Sequence, residues 1–344
     1  MKGAQVQQDR LTKLAGCTGR SVWDGEALAE DERWVFSLSP GAASELVAIG
    51  RRLVRMALPL CSIGSAEAGL GALGEDLRQF ATELRTGRGV VLVRKVPVDV
   101  ERPVLDALFW ALGTCFGVGV SQNRRGDYLG DVIDLSDQQT SGRPFQNGGE
   151  LIMHRDPVDI VGLLCIRHAA SGGLSRIASA RQLHNIILSE RPDLLERLYQ
   201  GYVYHRLEED RGDTPALTAQ RVPVFAPAAD GSVGCFFIPG PIRRGATPQA
   251  PIDGTGMEAF EFFTEVSKRP GVFSDMNLLP GDAQFLSNRT VLHSRTDYVD
   301  FPEIERRRHM LRLWLMAPDW PALHRDQRFF DESDRFGGGL PKAA

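Results

Sequence analysis

One short stretch, Met153-His154-Arg155-Asp156, constrains this chain more than any other. It leads into Ile160-Val161-Gly162-Leu163-Leu164-Cys165-Ile166, an unbroken apolar run of the length expected for a buried central strand. A histidine and a carboxylate two residues apart on extended chain point to the same face and can reach one point in space. Two donors do not fix a metal, and His293, at the end of Phe285-Leu286-Ser287-Asn288-Arg289-Thr290-Val291-Leu292-His293, is the candidate third. Two imidazoles and one carboxylate on one side of a metal, with other positions open, form the donor set of non-haem ferrous sites. On an extended strand Glu150, Ile152, His154 and Asp156 share a face, which predicts a polar cavity rather than a dry core. A buried carboxylate needs a partner, and a divalent cation favours the ionised carboxylate and the neutral imidazole together.

The motif has an internal control. His324-Arg325-Asp326 repeats the spacing in a polar tail, with no buried strand and no histidine after it. It reads as a surface pair.

The rest of the chain suggests what surrounds the first copy. Ser39-Pro40 reads as an N-cap with proline in the first turn, and Leu46, Ile49, Leu53 and Met56 follow at helical spacing. Further helices are predicted over Gly74–Leu84, Val104–Phe116, Ala180–Tyr199 and Met257–Ser267. Strands are predicted at Val90–Val93, Ser175–Ala178, Tyr202–His205, Val222–Phe225, Val233–Ile238, Phe273–Leu278, Ala283–Leu286 and Met310–Met316. Helices in front, short strands behind and no alternating strand–helix rhythm predict an α+β fold with a jelly-roll (double-stranded β-helix) core and flanking helices. Residues 1–30 read as a flexible lead-in, 31–320 as a single domain and 321–344 as a tail, with Pro239–Gly256 as a second pocket rim. The segment 117–150, rich in Gly, Asn, Gln and Asp, reads as a lid loop.

A formal charge of −4 gives no basic footprint for nucleic acid or a membrane surface, and no run approaches the ~18 apolar residues of a membrane span. Five scattered cysteines without a CxxC pair fit a reducing, cytoplasmic setting and argue against a cysteine zinc site. These totals are compatible with a homo-oligomer.

A second unusual strand is Arg306-Arg307-Arg308-His309-Met310-Leu311-Arg312-Leu313-Trp314-Leu315. Its parity puts Leu311, Leu313 and Leu315 on one face and Arg308, Met310, Arg312 and Trp314 on the other. Arginines on a central strand need anions, and the guanidinium fork suits a carboxylate.

Together these pieces resemble the taurine dioxygenase family of Fe(II)- and 2-oxoglutarate-dependent oxygenases. The ordered marks are His154-x-Asp156, Ser171-Gly172-Gly173-Leu174-Ser175, Leu279-Pro280-Gly281-Asp282, Asn288-Arg289 with His293, and Arg307-Arg308-His309-Met310-Leu311-Arg312. Leu174 departs from the pattern, standing where the family usually has an acidic residue. The resemblance implies His154, Asp156 and His293 as iron ligands, Arg308 with Ser175 on the distal carboxylate of 2-oxoglutarate, and Arg312 on cosubstrate or substrate. It further implies dioxygen as oxidant, and hydroxylation, desaturation or ring formation at an unactivated C–H bond with release of succinate and CO2. Substrate contacts are expected from Glu150, Asn147, Asn123 and Arg312, with Gln122, Arg124, Phe236, Phe237, Arg243 and Arg244 as further candidates. An acid at Glu150 with rim arginines suits a small polar substrate such as an amino acid or organic acid. Two other readings are a non-catalytic jelly roll that binds a small acid, and a zinc hydrolase with Glu150 as general base.

Overall fold

The computed structural model describes residues 14–123, 126–135, 149–206 and 215–327. Ser39 caps α2 as its sequence suggests: its side chain accepts from the Ala42 N–H, Pro40 opens the helix, and Leu46, Ile49 and Leu53 turn inward. In chain order the front half comprises α1 (Gly25–Ala29), β1 (Val35–Ser37), α2 (Pro40–Met56), α3 (Ser65–Ala68), α4 (Gly71–Arg85), β2 (Val90–Arg94), α5 (Arg102–Gly113), β3 (Val118–Val120) and β4 (Leu129–Ile133). The middle holds β5 (Leu151–His154), β6 (Ile160–Arg167), β7 (Ser171–Gly172), β8 (Ser175–Ser179), α6 (Ala180–Glu190), α7 (Pro192–Gln200), β9 (Phe225–Pro227) and β10 (Val233–Cys235). The last part is α8 (Pro239–Gly245), α9 (Gly254–Val266), β11 (Phe273–Met276), β12 (Ala283–Ser287), β13 (Val291–Arg295), β14 (Tyr298–Val299) and β15 (His309–Met316).

Two sheets make the jelly-roll core. The larger runs β1-β2-β12-β6-β15-β3, with β4 also pairing with β15; the smaller runs β11-β8-β13-β5. Strand parity sorts the larger sheet's side chains. Val91, Val93, Ile160, Leu164, Phe285, Leu311 and Leu313 pack with residues of α2, α4 and α5 in one apolar cluster. Leu92, Val161, Cys165, Leu286, Met310 and Trp314 belong to the other cluster, with Ile177 and Leu292 of the smaller sheet. The helices against the first face need close approach. A Cβ on Gly50 of α2 would stand 2.9 Å from the Val104 carbonyl of α5, so glycine is what lets these helices meet.

Several expectations need correction. Part of the expected lid is sheet: β3 and β4 both pair with β15, short strands whose Gly and Asp content hides them. Residues 136–148 of that lid, Asn147 among them, lie outside the described residues, as does Arg124. The Pro/Gly-rich segment contains a helix, α8, because Pro239 sits in its first turn where no N–H is needed. Tyr202–His205 is not a regular strand but makes single bridges, Tyr202 to Val222 and His205 to Leu217. The lead-in is anchored from Ser21 onward, with Trp23 and Leu28 buried. Gln327 is buried too, its side chain donating to the carbonyls of Pro223, Val224 and Gly234. No helix among the described residues is long and apolar enough to cross a membrane.

Candidate metal centre

β13 sits between β8 and β5, and His293 pairs with His154 across the ladder. The imidazole centroids are 4.4 Å apart. Asp156 completes the group: one ligand atom from each of His154, Asp156 and His293 lies within 4.8 Å of the others. The His293 Nε2 to Asp156 Oδ2 distance is 3.8 Å. Among the described residues this is the one such cluster of metal-type donors. The second motif, by contrast, stays on the surface, with both His324 and Asp326 side chains more than a third exposed.

The backbone reaches this arrangement by breaking strand parity. Between the pairs His293–His154 and Arg295–Leu151 the register shifts, so two residues on β13 face three on β5. That bulge brings Leu151 and His154 to the same cavity and leaves Glu150 outside it. Glu150 instead makes an exposed ion pair with Lys268 at 3.2 Å, so it does not stand as a general base beside the three ligands. Asn123 is likewise turned to its own loop, donating to Asp127 at 2.6 Å.

Asp156 lies beyond the end of β5, and Arg155 fixes the chain there. The Arg155 guanidinium is buried and does not line the cavity of the metal-type group. It donates to the carbonyls of Asp156 at 2.8 Å, Val158 at 2.7 Å and Cys235 at 3.0 Å, and lies 4.6 Å from the Phe236 ring centroid. Burial lowers its pKa to about 10, a cost tolerated because its N–H groups meet carbonyls. The Asp156 N–H donates to Asn288 Oδ1 at 3.2 Å. Arg155→Leu is expected to strand these carbonyls and lower stability by about 3 kcal/mol or more. Thermal unfolding checks this, with a clearly lower Tm as the expected result.

Protonation suits a cation. His154 Nδ1 lies 2.8 Å from the Ile152 carbonyl, so Nδ1 carries the proton and Nε2 keeps its lone pair. His293 is buried, and its Nδ1 has no hydrogen-bond partner among the described residues. Burial, followed by the neighbouring His154, pushes the His293 imidazole down to about 3. Burial alone would raise the Asp156 carboxyl, but Arg312, His293 and His154 outweigh it and leave the group below its ordinary value. Trp314 Nε1 donates to Asp156 Oδ2 at 3.0 Å, leaving Oδ1 the less committed oxygen. Two imidazoles, one anionic oxygen and the unpartnered His293 Nδ1 fit a divalent ion.

The same shift makes stability pH-dependent without metal. A folded-state imidazole pKa of about 3, below the unfolded ~6.5, means the unfolded chain binds more protons between those values. Stability is then lost as pH falls below about 6.5, by roughly 2 kcal/mol at pH 5. Urea unfolding of metal-free protein at pH 7 and pH 5 should show this loss, and His293→Gln should reduce it.

The three donors open into a narrow cavity of about 60 Å³, lined also by Ser175, Arg295, Arg308, Met310 and Arg312. A larger cleft of about 710 Å³ opens beside α5 among Cys61, Trp110 and Trp320, and none of the three donors lines it. Volume and chemistry disagree here; the smaller cavity holds the convergent donors, and the chemistry decides. Ser175 donates to Gln284 Oε1 at 2.8 Å. Arg308 is 8% exposed, and its guanidinium lies 5.6 Å from the Tyr298 ring centroid. Burial lowers its pKa, and the neighbouring Arg295 adds to that. Gly172 and Gly173 make the turn before Ser175 with φ of +74° and +70°; a Cβ on Gly173 would meet Arg308 Cδ and Nε at 3.2 Å. Arg312 is fixed by Gln122, which accepts from its Nε at 2.7 Å and donates back to its carbonyl. Its Nη1 stands 3.9 Å from Asp156 Oδ1. The parity of the arginine strand therefore holds: Arg308, Met310 and Arg312 line the cavity, while Leu311, Leu313 and Leu315 pack with the helices.

Sequence reasoning missed roles for Gln284, Arg295, Arg155 and Tyr298. The last three had a local signal: Arg295 follows His293 by two residues on the same strand, Arg155 lies inside the ligand motif, and Tyr298 follows His293 by five residues.

Residues 58–314 match the model of the family described as taurine catabolism dioxygenase TauD, TfdA family. FR-33289 synthase of Streptomyces rubellomurinus (strain ATCC 31215) is 28% identical over 307 residues, covering 87% of this chain and 89% of that protein. A solved asparagine oxygenase, in complex with Fe(II), 2S,3S-3-hydroxyasparagine and succinate, superposes with a TM-score of 0.63 at 17% identity, covering 88% of this chain and 98% of its own. The non-haem iron oxygenase OrfP, in complex with Fe and alpha-ketoglutaric acid, gives a TM-score of 0.63 at 14% identity, covering 82% and 94%. With three-quarters of its length inside the family model and a His-Asp-His group at the centre of the jelly roll, the chain belongs to the TauD, TfdA family, and it is an Fe(II)- and 2-oxoglutarate-dependent dioxygenase.

Proposed function

We propose that His154, Asp156 and His293 hold the ferrous ion, that Arg308 and Ser175 hold the far carboxylate of 2-oxoglutarate, and that the enzyme hydroxylates, desaturates or cyclises a small amino acid or organic acid. The observation that carries this reading is the shared cavity. The three metal-type donors line one space with the Arg308 and Ser175 side chains.

When bound, the iron and 2-oxoglutarate supply the oxidising power: dioxygen is reduced, the cosubstrate leaves as succinate and CO2, and a C–H bond of the substrate is oxidised. The chain's own residues supply position and environment. His154 Nδ1–H donates to the Ile152 carbonyl, which orients the ring and leaves Nε2 as its metal-facing nitrogen. Asp156 stays ionised through Arg312 and the Trp314 N–H. Arg308 is a buried cation that lines the cavity with Ser175, where it would take the far carboxylate of an acid. Met310, Leu163 and Leu278 line the remaining wall and exclude water around the reacting carbon.

The substrate class follows from charge. Arg295, Arg308 and Arg312 line the cavity against a single described acid, Asp156. That excess suits an acid group on the substrate as well as on the cosubstrate. The asparagine oxygenase structure contains a hydroxylated amino acid, and an OrfP structure contains (3R,4R)-dihydroxy-L-Arg. Both are consistent with an amino-acid substrate here. A panel of amino acids and small acids, assayed for succinate release above the substrate-free rate, tests the reading. Stimulation by at least one acid-bearing compound is expected; stimulation only by cationic or neutral compounds would contradict the class.

A further inference from the structure

Gln284 is a fully buried amide on β12, a strand buried along its whole length. Its ladder partners are Leu92 and Leu163, and the next residue on its face, Leu286, packs in the apolar cluster between the sheets. An amide there is costly unless its hydrogen bonds are made. Its side chain reaches to Ser175 and Met276, which face each other across β8 and β11. Ser175 Oγ donates to Gln284 Oε1 at 2.8 Å, and Gln284 Nε2 has only the Met276 thioether, at 3.7 Å, as acceptor among the described residues. Ser175 lines the metal-type cavity and Gln284 stands behind it.

The direction of that hydroxyl proton conflicts with an anion. A serine hydroxyl has one proton, and a carboxylate only accepts. With the proton on the Gln284 side, a carboxylate arriving in the cavity meets lone pairs. If the hydroxyl alone turned, Ser175 Oγ and Gln284 Oε1 would face each other at 2.8 Å as two acceptors. A half-turn of the amide removes the conflict. Nε2 then takes the place of Oε1 and donates to Ser175 Oγ, which in turn donates to the carboxylate. What is given up is the contact with sulfur, a weak acceptor.

We propose that Gln284 is a positioning residue for the cosubstrate: its amide turns over when the far carboxylate of 2-oxoglutarate arrives, and the turn aims the Ser175 proton at that carboxylate. This rests on the reading that Ser175, with Arg308, takes the carboxylate. An apolar residue would suit this face of β12 better, and the one strong hydrogen bond of the amide is the bond to Ser175.

Nuclear magnetic resonance of the full chain tests this, with glutamine side chains labelled with nitrogen-15 and diamagnetic Zn(II) in place of iron. The Gln284 Nε2 signals are those missing from Gln284→Met, or from Gln284→Glu if the first variant does not fold. Addition of 2-oxoglutarate is expected to move one Nε2 proton downfield, as it passes from sulfur to a hydroxyl oxygen. 2-Oxopentanoate, which lacks the far carboxylate, should leave it in place, and so should 2-oxoglutarate added to Ser175→Ala. Calorimetry on the same zinc-loaded protein tests the underlying reading: Ser175→Ala should weaken 2-oxoglutarate by about tenfold or more and leave 2-oxopentanoate little changed. If Ser175→Ala has that effect while the Gln284 signal stays put with 2-oxoglutarate, the turn is refuted and the role of Ser175 stands. An equal movement with both oxo acids also refutes the turn, since it then does not answer to the far carboxylate. If Ser175→Ala binds 2-oxoglutarate as the parent does, the reading of Ser175 itself falls and the turn with it.

Discussion

Asp156→Ala is expected to abolish substrate-dependent succinate release, by on the order of a thousandfold or more, the rate equivalent of about 4 kcal/mol. The carboxylate is the one anionic donor of the group, beside two imidazoles. Removing it leaves two imidazoles, too few to hold a ferrous ion in a fixed orientation. The loss should be chemical and not structural. Asp156 is held through its backbone as well, by Asn288 and by the Arg155 bond to its carbonyl. The side chain's departure frees the Trp314 N–H and relieves a buried charge, effects of opposite sign. A succinate assay run beside thermal unfolding separates the two; full turnover in a folded variant would remove Asp156 from the metal group.

Arg308→Met is expected to raise the Kd for 2-oxoglutarate by about ten- to a hundredfold, the worth of a charge-assisted, forked contact. The magnitude follows from burial. Arg308 is 8% exposed and makes no ion pair among the described residues, so the incoming carboxylate meets a cation that water screens poorly. Lysine should not restore the parent affinity, because a point charge cannot reproduce the fork. The turn at Gly172-Gly173 is part of the same device, since a side chain at Gly173 would press on Arg308. Calorimetry on the metal-loaded protein checks this, and unchanged affinity would exclude the role.

What could be read from the chain depends on how local each signal is. β15 was legible because it is buried on both faces, so its parity alone separates the cavity arginines from the leucines under the helices. The jelly-roll class was legible from the succession of short strands after the front helices. The face assigned to Glu150 was not, because a bulge resets the count between β13 and β5, and nothing in either strand announces it. Asn147 stays outside the described residues, and Asn123 faces its own loop. Gln122 and Gln284 act through residues distant in sequence, so no spacing rule assigns their partners, whereas Arg295 did carry a signal, two residues after His293 on the same strand. α8 was hidden by composition: proline and glycine suggest a loop, yet proline is welcome in a helix's first turn.

The most direct test is an anaerobic titration of the purified protein with Fe(II), followed by absorbance with and without 2-oxoglutarate. The expected result is one ferrous ion per chain and a visible band that needs both iron and cosubstrate, absent in Asp156→Ala and His293→Ala. Iron bound equally well by those variants, or no band when both components are present, would contradict the account.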